Sequence, residues 1–241
     1  MITLYKAPPF WGLPSISPPC VKLETWLRIA NIAYEIEIPQ DFTKAPKGKI
    51  PFIDYEGKLI GDSTLIIEML KEKEGIDPDR DLTSTEKAIS LAFRRMLKEN
   101  TYWGEVYISM NIEENWQVYK QALTNLYFDG SSTPESEQFL QQVRKSISNQ
   151  IYEQGMGRHS ESEICQIINA DFQALSDYLA DKPFFMGDKP TTLDATAYGY
   201  IGNMILAPFK SMIIDRVSQF ENLCQYYERM KQEFFPDYLP S

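Results

Sequence analysis

The sequence is poor in the residues that build metal centres and hydrolytic triads: one histidine, His159, and three cysteines, Cys20, Cys165 and Cys224, in 241 residues. None of these stands at zinc-ligand spacing, so no metal is expected, and a lone histidine in the glycine-rich break Gly155-Met156-Gly157-Arg158-His159-Ser160 reads as structural. An odd number of cysteines is a poor disulfide framework, and Met1-Ile2-Thr3-Leu4-Tyr5-Lys6 has no signal-peptide pattern, so a reducing cytoplasm is the expected location. Cations are also scarce: 24 Lys and Arg face 34 Asp and Glu, and a net charge of −10 repels polyanions, which excludes nucleic acid as an expected partner. Long apolar runs are missing as well. The most apolar late stretch, Tyr198 to Phe209, is interrupted by Gly199, Gly202, Asn203 and Pro208. It falls short of the roughly 18 to 20 apolar residues that span a bilayer, so no membrane anchoring is expected. What the chain has in plenty is aromatic surface. Its 14 Tyr, 13 Phe and 4 Trp suffice for a large core and for a flat-walled apolar pocket.

Eight of the fifteen prolines lie between Pro8 and Pro51, so the early chain obeys different backbone rules from the rest. Ile2 to Tyr5 reads as a strand, Cys20 to Ala30 as a helix with Cys20, Leu23, Leu27 and Ala30 on one face, and Tyr34 to Ile38 as an alternating strand. Pro51 to Asp54 and Lys58 to Ile60 flank the hairpin signal Tyr55-Glu56-Gly57, and Asp62-Ser63-Thr64 opens an amphipathic helix through Leu65, Ile66, Met69 and Leu70. The order is β-α-β followed by β-β-α. A charged, turn-rich stretch, Gly75 to Asp81, marks a linker, giving a first domain at 1–74, a linker at 75–83 and a helical domain at 84–241. In the last, Ser84 to Tyr127, Glu135 to Gln154, Ser160 to Leu179, Thr191 to Ile205 and Val217 to Phe234 read as helices. Thr191 with Asp194 has the form of a capping box.

Ser17-Pro18-Pro19-Cys20, Ile50-Pro51 and Asp62-Ser63, set on this frame, resemble the glutathione transferase superfamily. The stretch Trp11 to Thr25 and the later Gly157-Arg158-His159-Ser160 are similar to its failed-axon-connections and metaxin branch, and Gly187 to Asp194 to the superfamily's second-domain signature. The resemblance implies an N-terminal thioredoxin-like domain, of α/β type, that holds glutathione as co-substrate. It implies a C-terminal all-α domain that completes a pocket for a small-molecule electrophile. It also implies conjugation of the glutathione thiolate or its use against a peroxide. Homodimers are common in the superfamily. A non-catalytic binding or adaptor role is the alternative from the metaxin side; the retention of Ser17, Ile50-Pro51 and Asp62-Ser63, and an ending at Pro236 to Ser241 without a hydrophobic anchor, favour the enzyme.

The resemblance assigns roles that the residues can also fill in plainer ways. Ser17, before Pro18 at a helix start, can donate to the glutathione sulfur and favour the thiolate, or can simply cap the helix. Tyr5 is a second hydroxyl candidate. Cys20 shares a helical face with Leu23 and Leu27, and burial is its expected role; a thiol reductase would need it exposed and acidic. Pro51 is expected to follow a cis peptide, with the Ile50 backbone pairing with glutathione as an added strand would. Lys49 can meet the glycine carboxylate or be merely solvated. Ser63 and its N–H can receive the γ-glutamyl carboxylate while Asp62 takes the ammonium, or the two can form an ordinary cap. For the electrophile, Phe10, Trp11, Tyr102, Trp103 and Tyr107 are the candidate wall, against a core role for the helical aromatics.

Overall fold

Strand β1 (Ile2–Tyr5) turns Ile2 and Leu4 inward and pairs in parallel with β2 (Tyr34–Glu37) and antiparallel with β3 (Phe52–Tyr55). β4 (Lys58–Gly61) closes the sheet against β3, giving the order β2-β1-β3-β4. The computed structural model describes residues 1–39 and 41–238, so the final residues of the closing segment Pro236 to Ser241 lie outside it. The helices α1 (Pro18–Ile29) and α2 (Ser63–Glu74) cover the sheet, burying Leu23, Trp26, Leu27, Ile66, Ile67 and Leu70 against Ile2, Leu4 and Ile53. Each such side chain contributes roughly 1.5 to 3 kcal/mol relative to exposure.

The helical region departs from the sequence reading at two places, and the break at Ile112 has a cause distant in sequence. The single helix expected over Ser84 to Tyr127 is instead α3 (Ser84–Met96), a π-helical turn at Leu97–Thr101, α4 (Tyr102–Asn111) and α5 (Glu113–Tyr127). At Ile112 the backbone is extended, and side chains from elsewhere take over the freed carbonyls: Asn115 Nδ2 donates to Ile108 O at 3.2 Å and Arg144 Nε to Met110 O at 2.8 Å. Asn115 also exchanges hydrogen bonds with the Lys210 backbone, pinning the break to a loop far along the chain. The expected Val217 to Phe234 helix starts later, as α10 (Glu221–Phe234), and a short helix that the sequence did not announce, α9 (Met212–Val217), precedes it. Between these lie α6 (Pro134–Gln154), α7 (Glu161–Leu179) and α8 (Thr192–Leu206), all close to expectation. Asp194 caps α8: its carboxylate accepts from Thr191 N–H, Thr191 Oγ1 and Phe185 N–H at 2.8 to 2.9 Å.

α8 is the central helix, buried along nearly its whole length, and it packs directly on α1. A Cβ at Gly199 would lie 2.8 Å from Pro18 O and 3.2 Å from Lys22 N, so the backbones meet because this residue has no side chain. Ala195 reaches into the core of the sheet unit, Trp26 Nε1 donates to Thr192 Oγ1 at 3.3 Å, and the Thr192 N–H donates to Asp79 Oδ1 at 2.8 Å. A second tie is ionic. Lys6 and Glu24, both fully buried, form a salt bridge, and Lys6 Nζ also donates to Pro14 O at 2.8 Å. The other Glu24 oxygen accepts from Arg28 and from Tyr34 Oη, each at 3.1 Å, and Arg28 continues to Phe234 O and Asp237.

Candidate active site

Three backbone features converge beside α1: its N-terminus at Ser17, the Ile50–Pro51 peptide, which is cis, and the β4–α2 junction at Asp62–Ser63. They border a cleft of about 250 Å³ that also takes in Lys47, Lys49, Lys98, Glu99, Tyr102, Trp103 and Tyr200. In a chain of net charge −10, three lysines at one cleft form a local surplus of positive charge.

Ser17 is the residue preceding α1, and its carbonyl accepts the N–H groups of Cys20 and Val21 at 2.9 and 3.1 Å. Its hydroxyl caps nothing: among the described residues no helix N–H donates to it. The Ser17 N–H is itself held by Ser15 Oγ at 3.3 Å. Ser17 therefore reaches the cleft with its hydroxyl capping no helix N–H and within hydrogen-bonding reach of the Cys20 thiol. It also borders a second, smaller cavity of about 100 Å³, walled by Trp11, Tyr102, Tyr119, Ile147 and Phe209. Trp11 packs edge-on against Phe209, with ring centroids 5.2 Å apart.

Asp62 behaves differently. Its Oδ1 accepts from Thr64 N–H at 2.8 Å and Leu65 N–H at 3.2 Å, so it does cap α2, while Oδ2 faces Lys98 Nζ at 3.3 Å. Burial works against the carboxylate, yet these N–H groups and the Lys98 ammonium outweigh it and hold the pKa below the ordinary value. Ser63 is buried at the first position of α2. Lys49 is exposed and donates to Gln150 Oε1 of α6 at 3.3 Å.

The structure brings Ser17, Lys49, Ile50, Pro51, Asp62, Ser63, Tyr102 and Trp103 to the cleft, and Trp11 to the smaller cavity. Three candidates fall elsewhere. Phe10 stands behind Trp11, touching its ring edge at a centroid distance of 5.4 Å, and lines neither space. Tyr107 packs against the helical core on a different face of α4. Tyr5 stacks on Phe52 at 4.3 Å and borders neither cavity. Cys20 is fully buried, and burial pushes its thiol pKa up, the opposite of what an exposed reductive thiol requires. Lys47, Lys98, Glu99 and Tyr200 escaped the sequence reading. Lys98 and Glu99 lie on the π-helical turn, which rotates them toward the cleft, whereas in a regular helix they read as solvated.

Behind Asp62, Lys22 is buried and donates to Thr64 Oγ1 at 2.7 Å; burial, together with Arg94 and Lys98, lowers its pKa to about 7. The unfolded chain therefore holds this proton up to a higher pH than the folded one, so stability rises with pH from about 7 toward the ordinary lysine value near 10.4. The native protein should gain up to about 1.4 kcal/mol per pH unit over Lys22→Met between pH 7 and 9, read from urea midpoints.

A four-stranded mixed sheet with two covering helices, backed by a helical unit and carrying this cleft at its edge, defines a thioredoxin-like domain joined to an all-helical one. The chain belongs to the glutathione transferase superfamily: residues 18–115 match the glutathione S-transferase N-terminal domain and residues 168–230 its C-terminal domain. It is 35% identical to the isoprene-epoxide–glutathione S-transferase of Rhodococcus sp., over 97% of this chain and 99% of that protein. It is 32% identical to failed axon connections of Drosophila melanogaster, over 94% of this chain and 56% of that longer protein, and 25% identical to metaxin-3 of Danio rerio, over 94% and 74%. Among solved structures it shares the fold of a beta-etherase of Sphingobium sp., with a TM-score of 0.62 and 15% identity over 98% of this chain and 99% of that one. A Methylobacterium radiotolerans glutathione transferase, solved with glutathione sulfonate, gives 0.59 and 17% over 99% and 94%.

Proposed function

We propose that the chain is a glutathione transferase in which Ser17 stabilises the glutathione thiolate for attack on a small apolar electrophile. The observation that carries this reading is the position of Ser17, its hydroxyl spent on no helix N–H, where the lysine-rich cleft and the aromatic cavity meet. Glutathione carries two carboxylates and one ammonium, and the cleft has matching groups at both ends. Lys47 and Lys49 face the glycine carboxylate. The N-terminus of α2 at Ser63 takes the γ-glutamyl carboxylate. Since Asp62 Oδ1 is spent on the helix, the ammonium meets Asp62 Oδ2 and the neighbouring Glu99. Among the described residues the Ile50 N–H has no hydrogen-bond partner, which leaves it available to the cysteinyl backbone. The sulfur then lies against Ser17, near the positive end of α1, and a donor there favours the anion.

The name of the Rhodococcus relative, at 35% identity over nearly the full length of both chains, supports conjugation. The metaxin relatives support the adaptor reading instead. Calorimetry with glutathione, followed by ultraviolet titration of the bound thiol, separates the two. The transferase reading expects binding below millimolar concentration and a bound thiol ionising well below the ordinary cysteine value near 8.5. Absence of binding at millimolar glutathione overturns it and leaves the adaptor reading. Consumption of cumene hydroperoxide by the same complex distinguishes peroxide reduction from conjugation.

A further inference from the structure

The smaller cavity contains one group that the glutathione cleft does not use. Glu105, in the first turn of α4, lines it together with Ser17, Tyr119 and Asn203. Its side chain is partly open to the cavity, yet Oε2 is sealed from solvent and has no hydrogen-bond partner among the described residues. An ionised carboxylate sealed and unpaired in this way is costly, and the group responds by keeping its proton. The surroundings agree. Among the described residues no lysine or arginine lines the cavity, and the other titratable groups facing Glu105 are the phenols of Tyr102, Tyr119 on α5 and Tyr200 on α8. The neighbouring polar donors are engaged: Ser109 Oγ donates to Val106 O at 3.1 Å and Asn203 Nδ2 to Gly199 O at 2.9 Å. α4 is fixed in this orientation because Gly104 lets its backbone press on Ile168 of α7.

We infer that Glu105 is the general acid of this site and that it selects electrophiles whose leaving atom is an oxygen, epoxides above all. The inference rests on the transferase reading and deepens it. In the reaction the thiolate forms a bond to one epoxide carbon, and the C–O bond of that carbon breaks with its electron pair going to oxygen. The Glu105 carboxyl gives its proton to that oxygen, leaving a hydroxyl beside a thioether. The carboxylate then regains a proton from solvent, which balances the one the glutathione thiol released on ionising. Burial pushes the Glu105 pKa well above the ordinary glutamate value, which favours the protonated carboxyl over the anion. A neutral acid beside the sulfur adds no like-charge repulsion, whereas an anion there would oppose the thiolate. The two lining phenols are poorer donors, since burial raises Tyr102 to about 12 and Tyr119 further. Halide leaving groups need no proton, so the acid matters only when oxygen departs.

Butadiene monoxide and allyl bromide test this, because they offer allylic carbons on molecules of similar size to the same thiolate and differ in what leaves. In Glu105→Gln the ratio of epoxide to bromide kcat/KM should fall about 100-fold, the scale of general acid catalysis. The native epoxide rate should also fall on the alkaline side with the Glu105 ionisation, and this limb should be absent in the variant. A ratio within threefold of native overturns the inference, as does a selective epoxide loss in Tyr119→Phe and not in Glu105→Gln. If the variant loses both activities together, the side chain is structural and the inference falls. If the native protein binds glutathione and conjugates the bromide but not the epoxide, the inference falls while the transferase reading stands. If it conjugates neither, both fall.

Discussion

Ser17→Ala should lower kcat/KM for conjugation about 10² to 10³-fold at pH 6.5, with glutathione affinity held within about threefold, since one hydrogen-bond donor to a developing anion is worth roughly 3 to 4 kcal/mol. The asymmetry follows from the geometry. In the proposed binding mode the carboxylates and ammonium of glutathione are met by Lys47, Lys49, Ser63, Asp62 and Glu99 and not by residue 17. The tripeptide therefore still binds, but as the thiol. The deficit should shrink as pH rises past about 8.5, where the thiol ionises without help. Because the Ser17 hydroxyl caps no helix N–H, its removal should cost little stability, and an unchanged urea midpoint serves as the control. A Ser17→Ala variant with a native pH profile would place thiol activation elsewhere.

Glu24→Ala should remove about 3 to 5 kcal/mol of stability, which is the range for deleting one partner of a buried ion pair. The loss is not that of a single bond. Lys6 is fully buried and would retain only the Pro14 carbonyl, while Arg28 and Tyr34 would lose their shared acceptor. Replacing both charges with apolar side chains, as Lys6→Met with Glu24→Leu, should recover much of the deficit, because the pair's desolvation cost vanishes with it. If the double variant is as unstable as Glu24→Ala, the contribution lies in the Arg28 and Tyr34 branch. Lys6 and Pro14 bracket the loop that carries Trp11, so the single variant should also weaken electrophile binding at temperatures where it is still folded.

The β-α-β, β-β-α order is legible because each element announces itself locally, by alternation in Tyr34 to Ile38 or by the Asp62-Ser63 cap. The break at Ile112 and the later start of α10 at Glu221 are not. The first rests on Asn115 reaching Lys210 and on Arg144 reaching Met110, partners 95 and 34 residues apart. The cleft was read through motifs at element junctions, which is where Ser17, Ile50 and Asp62 stand. Its remaining lining comes from helix faces, and no periodicity tells which aromatic on α4 looks inward. Tyr102 and Tyr107 are five residues apart and face different surroundings. Glu105 and Lys98 gave no signal at all, since a charged residue on a helix reads as solvated until its neighbours are known. Lys6 and Glu24 were silent for the same reason.

The contact at Gly199 sets a tolerance on the chemistry. The first turn of α1, which bears Ser17, rests backbone to backbone on a helix from the other half of the chain, while Asn203, one turn further along that helix, borders the cavity that holds Glu105. On the proposed reading, the thiol-activating and proton-donating sides of the site are thus gauged from one rod. Misplacement by about 1 Å can cost a reaction 100-fold. A side chain at residue 199 would force the two halves apart and with them the alignment of the site.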